Sequence, residues 1–172
     1  MRLFYAIGLT EQIRSSLEHV AYQLEKQAHQ GNFTQPELYH ITLAFLGEVP
    51  SPRKAIQALE SVRGERFLVS IGGLGKFRRQ GGDLYWAGVR VSPGLEQVYC
   101  QLCGRLKQLG FSLEDRPFRP HITLGREVVL PPGTARVALP EQKMMVSRIS
   151  LMKSERLKGN LVYTEIAGKE LR

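Results

Sequence analysis

The tetrapeptide HITL occurs twice in this chain, at residues 40–43 and at residues 121–124. The chain has 4 histidines among its 172 residues, and two of them, His40 and His121, open the two copies. The second copy follows the first by 81 positions (121 − 40), close to half of the chain. Each copy lies on a predicted strand that follows a long helix pattern. A repeat at this spacing predicts two similar lobes, each contributing one copy.

Strand and helix patterns alternate along the chain. Apolar runs bounded by turn residues predict strands over 3–9, 39–49, 67–77, 83–91, 119–128, 145–154 and 161–168. Apolar residues recurring every three or four positions predict helices that begin after Thr10, at Ser51–Pro52 and at Ser92–Pro93. Gly31–Asn32 and Gly110 are the predicted ends of the first and third helices. No low-complexity linker intervenes, so we predict a single bilobal domain over residues 1–172.

The predicted fold class is α+β. Each lobe is expected to hold a mostly antiparallel sheet flanked by helices, with a cleft between the lobes. Side chains alternate between the two faces of a strand. Within each copy of HITL, the Ile and Leu side chains therefore point to a core. His40 with Thr42, and His121 with Thr123, point to the opposite face. If that face borders the cleft, two imidazoles and two hydroxyls converge there.

Two imidazoles facing one cleft suit acid–base chemistry. Histidine has an unperturbed pKa of about 6.5, so one ring can accept a proton from an attacking hydroxyl while the other donates one to a leaving oxygen. Threonine hydroxyls can donate hydrogen bonds to the non-bridging oxygens of a phosphate. In-line displacement at phosphorus places the attacking and leaving groups on opposite sides. The residues alone leave open which histidine is the acid.

No cofactor or metal is expected. Two histidines without nearby Asp, Glu or Cys at ligand spacing make an incomplete metal site. The chain contains no G-x-x-x-x-G-K-[ST] sequence for ATP use and no G-x-S-x-G sequence for a serine nucleophile. Cys100 and Cys103 have C-x-x-C spacing, but they fall in the middle of a predicted helix and are expected to be small core residues.

The charge of the chain favours an anionic partner. The formal net charge is +8, which in a domain without a basic tail suggests nucleic acid first. Arg78 and Arg79 in a predicted hairpin loop, with Arg116 and Arg119 before the second HITL, could contact RNA backbone. No apolar run reaches the roughly 18 residues of a membrane span. We expect a monomeric, cytoplasmic protein that does not enter membranes.

The segments HITLAFLGEV and RPFRPHITLGR, together with the N-terminal FYAIGL, resemble a known family. They are similar to the bacterial and archaeal RNA 2′,3′-cyclic phosphodiesterases, also named 2′-5′ RNA ligases. That family belongs to the two-histidine phosphoesterase superfamily, whose signature is a pair of H-x-[ST]-x motifs. The resemblance runs through nearly the whole chain and extends to SLMKSERLKGNLVYTEI near its end. The flanking FLG and RPF-RPH residues make it specific.

The resemblance implies an enzyme, a fold and a set of site residues. It implies a bilobal two-histidine phosphoesterase fold and hydrolysis of RNA 2′,3′-cyclic phosphate ends to 2′-phosphates without a metal. ATP-independent, reversible 2′-5′ joining is implied as a side activity, and tRNA fragments are candidate substrates. By this resemblance His40 is the general acid and His121 the general base. Thr42, Thr123 and Arg126 bind the phosphate.

Two points stay open at the level of sequence. A regular strand would turn Arg126 away from the cleft, because it lies five positions after His121, unless Gly125 forms a bulge or the strand ends there. Tyr39 and Phe118, near the two motifs, could either stack a terminal base or pack in the core or at its rim. The alternative functions are a phosphoesterase for small nucleotide cyclic phosphates and a non-catalytic RNA-binding module.

Overall fold

The computed structural model describes all 172 residues. The nine strands are β1 (Arg2–Ile7), β2 (Gln30–Phe33), β3 (Ile41–Glu48), β4 (Phe67–Phe77), β5 (Asp83–Val89), β6 (His121–Val129), β7 (Gln142–Val146), β8 (Arg148–Leu157) and β9 (Asn160–Glu170). The three helices are α1 (Glu11–Gln27), α2 (Arg53–Glu60) and α3 (Pro93–Gln108). No helix is long and apolar enough to cross a bilayer.

The strands form two antiparallel sheets, which confirms the predicted α+β class. One sheet has four strands in the order β3-β1-β8-β9, and the other has five in the order β2-β6-β5-β4-β7. The first HITL lies at the start of β3 and the second at the start of β6. The two copies therefore lie in different sheets, one in each.

The two copies occupy equivalent places in their lobes. In the first lobe, β1 is followed by α1 and then by β3, which pairs antiparallel with β1. In the second lobe, β5 is followed by α3 and then by β6, which pairs antiparallel with β5. Because the order of strand, helix and motif strand is the same in both lobes, His40 immediately precedes β3 and His121 begins β6, each next to the strand that comes before the helix.

The apolar members of HITL hold both motif strands in the core. Ile41, Leu43, Ile122 and Leu124 are each at most 4% exposed and belong to one cluster of 31 buried residues shared by both lobes. The helices bury the stripes predicted for them, with Leu17 at the centre of α1 and Leu102 at the centre of α3, both fully buried. The core is therefore continuous across the two sheets.

The predicted helix ends are only partly right. The prediction for α3 is confirmed, because Ser92 accepts a hydrogen bond from the backbone of Leu95 and Gly110 follows the helix with a φ of 93°. The first helix ends at Gln27, and Gly31–Asn32 belong to β2 rather than to a helix stop. Three of the four residues of β2 are exposed, so it shows no apolar alternation that would mark a strand.

One predicted strand is in fact two strands in different sheets. The segment 145–154 is interrupted at Ser147, which separates β7 from β8. The buried positions change parity there, from Met144 and Val146 to Ile149 and Leu151. Strand β7 pairs with β4 and strand β8 pairs with β1. A single residue thus carries the chain from one lobe to the other.

Candidate active site

The His40 ring is held at both nitrogens. Its Nδ1 lies 2.7 Å from the carbonyl oxygen of Leu38, which ends a short 3-10 turn before β3. A carbonyl only accepts, so Nδ1 carries the proton and donates it. Nε2 lies 2.9 Å from the hydroxyl oxygen of Thr42. The His and Thr of the first HITL therefore share one face, as strand parity predicts.

The His121 ring is held by the matching bond. Its Nδ1 lies 2.7 Å from the carbonyl oxygen of Arg119, again two residues before the histidine. Nδ1 is again the protonated nitrogen, which leaves the lone pair on Nε2 of a neutral ring. Nε2 of His40 is engaged by a threonine hydroxyl, whereas Nε2 of His121 has no hydrogen-bond partner in the protein.

The two motif strands meet although they belong to different sheets. Strand β3 contacts strand β6 directly across the lobe boundary. The charge of His121 contributes to lowering the pKa of His40, so each ring lies within the electrostatic reach of the other. The structure therefore brings the two predicted histidines to one place.

The pKa of His40 lies below its ordinary value of 6.5. Burial of the ring is the largest cause, because it disfavours the charged imidazolium. The hydrogen bond to the Leu38 carbonyl opposes this effect, whereas the charges of His121 and Arg126 add to it. His40 is consequently neutral at neutral pH when no anion is bound.

This lowered pKa predicts a pH-dependent stability. The unfolded chain has a His40 pKa of about 6.5, so just below that pH it binds more protons than the folded chain, and acid favours unfolding. We expect the free energy of unfolding of the wild type to fall more than that of His40→Asn between about pH 7.5 and about pH 5.5. Urea denaturation of both proteins at both pH values measures this. An equal decrease in the free energy of unfolding of the two proteins would contradict a lowered pKa of His40.

Arg126 reaches the same face as the second motif through a bulge. One step along β5, from Tyr85 to Trp86, corresponds to two steps along β6, from Gly125 to Thr123. Because of this extra residue in β6, the side chain of Arg126 lies on the same face of the strand as that of Thr123. This is the bulge at Gly125 that was considered from the sequence. A Cβ at Gly125 would lie 3.0 Å from the Phe33 ring, so this position has little room for a side chain.

The guanidinium of Arg126 is available to an anion. Arg126 is exposed, and none of the ion pairs of the protein includes it. Its charge lowers the pKa of His40 and also opposes the raised pKa of Tyr163. Arg126 stands on β6 of the five-stranded sheet and therefore acts on groups of the opposite lobe, which holds the four-stranded sheet.

A matching bulge in β3 brings Phe45 to the corresponding place in the first lobe. One step along β1, from Tyr5 to Ala6, corresponds to two steps along β3, from Ala44 to Thr42. Phe45 follows His40 by five positions, as Arg126 follows His121. Its side chain is 61% exposed, which is unusual for a phenylalanine. In HITLAF and HITLGR, Phe45 and Arg126 stand at the same distance from the histidine, and this shared position could have identified Phe45 from the sequence.

Aromatic rings flank both histidines. The ring centroids of Phe4 and Tyr163 lie 5.1 Å and 5.4 Å from that of His40. The ring centroids of Phe77 and Trp86 lie 5.3 Å and 6.2 Å from that of His121. Burial is the main cause that raises the pKa of Tyr163. No local pattern in the sequence marks these four neighbours, because they come from the strands β1, β9, β4 and β5.

The two aromatic residues proposed from the sequence as base-stacking groups lie elsewhere. Tyr39 is 3% exposed and belongs to the core, and burial raises its pKa to about 12. Phe118 is partly buried against the core and stacks on Tyr99 with ring centroids 3.9 Å apart. Of the two interpretations open for these rings, base stacking and packing at the core or its rim, the structure shows packing, because proximity in sequence does not tell which face of the chain a ring occupies.

Other candidates from the sequence lie outside the histidine pair. Cys100 and Cys103 are free thiols in the middle of α3, and Cys100 is exposed rather than in the core. Arg116 pairs with Glu114. No three His, Cys, Asp or Glu side chains are grouped so as to hold a metal ion.

Comparison with known proteins places the chain in a family. The model of the 2′-5′ RNA ligase superfamily matches residues 10–158. The chain is 32% identical over 174 residues to an RNA 2′,3′-cyclic phosphodiesterase of Escherichia coli K12, covering 96% of this chain and 93% of that protein. It is also 32% identical over 129 residues to one of Geobacillus stearothermophilus, where the match covers 72% of this chain and 41% of that longer protein.

The fold is shared with a solved enzyme structure. Escherichia coli LigT complexed with 3′-AMP superimposes with a TM-score of 0.84 at 30% identity, and the match covers 99% of this chain and 97% of that chain. Both HITL copies lie within the region matched by the family model. This chain belongs to the 2′-5′ RNA ligase superfamily.

Proposed function

We propose that this protein is an RNA 2′,3′-cyclic phosphodiesterase that opens the cyclic phosphate at an RNA end to a 2′-phosphate. The observation that carries the proposal is the matched pair of imidazoles. Each donates Nδ1–H to the carbonyl two residues before it, and they stand on two strands that meet across the lobes. The names of the E. coli and Geobacillus relatives support this reaction.

The proposed reaction divides the proton transfers between the two histidines. His121 Nε2 accepts a proton from water as the water oxygen attacks phosphorus. The P–O3′ bond breaks on the opposite side, and His40 Nε2 donates a proton to the departing O3′. Because His121 Nε2 has no protein partner, its lone pair is open to a water molecule.

The asymmetry of the cleft supports this division. The departing O3′ belongs to the ribose, so the general acid must stand on the side where the nucleoside binds. The exposed Phe45 ring lies 5.8 Å from Phe4, which itself lies 5.1 Å from His40, measured between ring centroids. A base stacked on Phe45 would place its ribose beside His40, and water would enter from the side of His121.

The lowered pKa of His40 suits a general acid that receives its proton with the substrate. A bound phosphate anion next to His40 favours the imidazolium form. Once charged, an imidazolium of low pKa gives up its proton readily to a developing alkoxide. Thr42 and Thr123 hydroxyls and the Arg126 guanidinium would hold the non-bridging oxygens, where negative charge increases during attack.

The same geometry supports an interpretation of the assembly. One chain supplies both histidines, and one continuous core joins the lobes. We infer that residues 1–172 act as a single bilobal domain and that a monomer is active in the cytoplasm, with RNA fragments such as those of tRNA as substrates. The net charge of +8 favours this partner.

The direct test uses an RNA oligonucleotide with a 2′,3′-cyclic phosphate end, in buffer with EDTA. We expect conversion to a 2′-phosphate end, distinguished from a 3′-phosphate by its resistance to a 3′-specific phosphatase. Intact substrate at neutral pH would falsify the proposal. Comparing the oligonucleotide with a cyclic mononucleotide separates an RNA enzyme from one for small nucleotides, and binding without a new end would indicate an RNA-binding module.

The role of Phe45 gives a prediction of its own. Phe45→Ala should raise KM for a cyclic mononucleotide about 10-fold with little change in kcat, since base stacking is lost equally in the ground and transition states. Steady-state kinetics measures the two constants separately. Tyr22→Ala is the matched control, because Tyr22 is 58% exposed on α1. An unchanged KM for Phe45→Ala would exclude stacking on this ring.

A further inference from the structure

We propose that the end of β4 and the loop after it form an acceptor site for the 5′-hydroxyl end of a second RNA strand. This acceptor site consists of Phe77, Arg78 and Arg79. It rests on the proposed function, because a strand bound there would take the place of water as the attacking group. The bond formed would be a 2′-5′ phosphodiester.

The acceptor site lies directly beside the proposed general base. The Phe77 ring meets His121 edge to face, with centroids 5.3 Å apart and planes at 90°. The guanidinium carbon of Arg79 lies 5.7 Å from the centroid of Phe77, so the three groups form a continuous row. An RNA end seated on this row would bring its 5′-hydroxyl to the side of His121.

Both arginines are free to bind phosphates. Arg78 and Arg79 are exposed, and neither guanidinium belongs to an ion pair of the protein. The neighbouring carboxylate of Asp83 is engaged by Lys76 at 3.5 Å and by the backbone N–H of Arg79 at 3.2 Å. The loop therefore presents two unpaired cations, which suits the backbone of a single strand.

The loop is held in place by its neighbours. The side-chain amide of Gln30 donates hydrogen bonds to the carbonyls of Gly81, at 3.0 Å, and Glu127, at 3.1 Å. A Cβ at Gly82 would lie 2.5 Å from the backbone of Glu127, so the loop packs closely on the strand of Arg126. These contacts hold the loop that carries the arginines against the strand of the second motif.

The opposite side of the cleft is already assigned to the donor strand. Phe45 and Tyr163 stand with His40, where the nucleoside of the cyclic phosphate is proposed to bind. In-line displacement requires the attacking strand on the other side, which is that of His121. The 5′-hydroxyl would transfer its proton to His121 Nε2 as its oxygen bonds to phosphorus. The P–O3′ bond would break and O3′ would take the proton of His40.

The test measures the competition between joining and hydrolysis. An RNA with a 2′,3′-cyclic phosphate end is mixed with increasing amounts of a 5′-hydroxyl RNA, and the 2′-5′ joined and hydrolysed products are quantified. The double variant Arg78→Ala/Arg79→Ala should require about 10-fold more acceptor for half-maximal joining. Its hydrolysis of a cyclic mononucleotide should stay within about twofold of the wild type.

The control is Arg53→Ala/Lys54→Ala, which removes two exposed cations from α2, a helix that packs against β8 and β9. It should leave the acceptor requirement unchanged. An equal requirement for acceptor in the Arg78/Arg79 variant and the wild type would overturn the acceptor site. A parallel loss of mononucleotide hydrolysis would overturn it as well. A wild type that does not hydrolyse the cyclic phosphate would refute the proposed function and the acceptor site together.

Discussion

Replacing either His40 or His121 by alanine is expected to lower turnover of a 2′,3′-cyclic phosphate at least about 100-fold while the protein stays folded. Each substitution removes one of the two proton transfers, and neither ring belongs to the buried core. Turnover is measured with a cyclic mononucleotide, and folding by circular dichroism and thermal unfolding. His19→Ala is the control, since His19 is exposed on α1. Retained activity in either variant would remove that histidine from the mechanism.

A sulfur-substituted substrate distinguishes the acid from the base. A cyclic phosphorothiolate with sulfur at the 3′ bridging position expels a thiolate, which needs no proton to depart. His40→Ala should therefore recover much of its activity on this substrate, whereas His121→Ala should not. The reverse pattern would exchange the two roles and would place the nucleoside on the side of His121.

Arg126→Ala should lower kcat/KM for a cyclic mononucleotide by roughly 100-fold, which is the usual cost of losing one well-placed donor to a transition-state oxyanion. The guanidinium stands on the cleft face because of the Gly125 bulge, and no carboxylate of the protein neutralises it. Arg126→Lys should keep part of the activity that Arg126→Ala loses, because lysine retains the positive charge but cannot form the bidentate hydrogen bonds of a guanidinium.

The matched control for Arg126 is Arg119→Ala. Arg119 is an exposed arginine that precedes the same motif, and its backbone carbonyl, which holds His121, is kept in the variant. Its kcat/KM on a mononucleotide should remain near that of the wild type. Equal losses in the two variants would show that Arg126 contributes only to the general positive charge of the surface.

The sequence predicts much of the site because the relevant rules are local. Alternation along a strand places His40 and Thr42 together, and the hydrogen bond between them follows from it. The glycine at 125 marks the bulge that turns Arg126 to the cleft. The second HITL has the same strand alternation and the same Nδ1 bond to the carbonyl two residues earlier, but its histidine and threonine are not hydrogen-bonded to each other.

The rest of the site depends on which strands become neighbours. Phe4 and Tyr163 reach His40 only because β1 and β9 belong to the sheet of β3. Nothing in the residues around either ring marks that proximity. The short strand β2 is not predicted for a different reason. It is an edge strand whose residues are mostly exposed, so only its pairing with β6 defines it.

Ser147, the single residue between β7 and β8, has a mechanical consequence. One residue spans about 3.5 Å, so neither lobe can slide away from the other without breaking the strand pairing on one side of Ser147. This short covalent connection therefore limits how far the two sheets, and with them the imidazoles beside β3 and β6, can move apart. We expect this tether to keep the spacing of the two proposed proton-transfer groups nearly constant while a phosphate is bound and released.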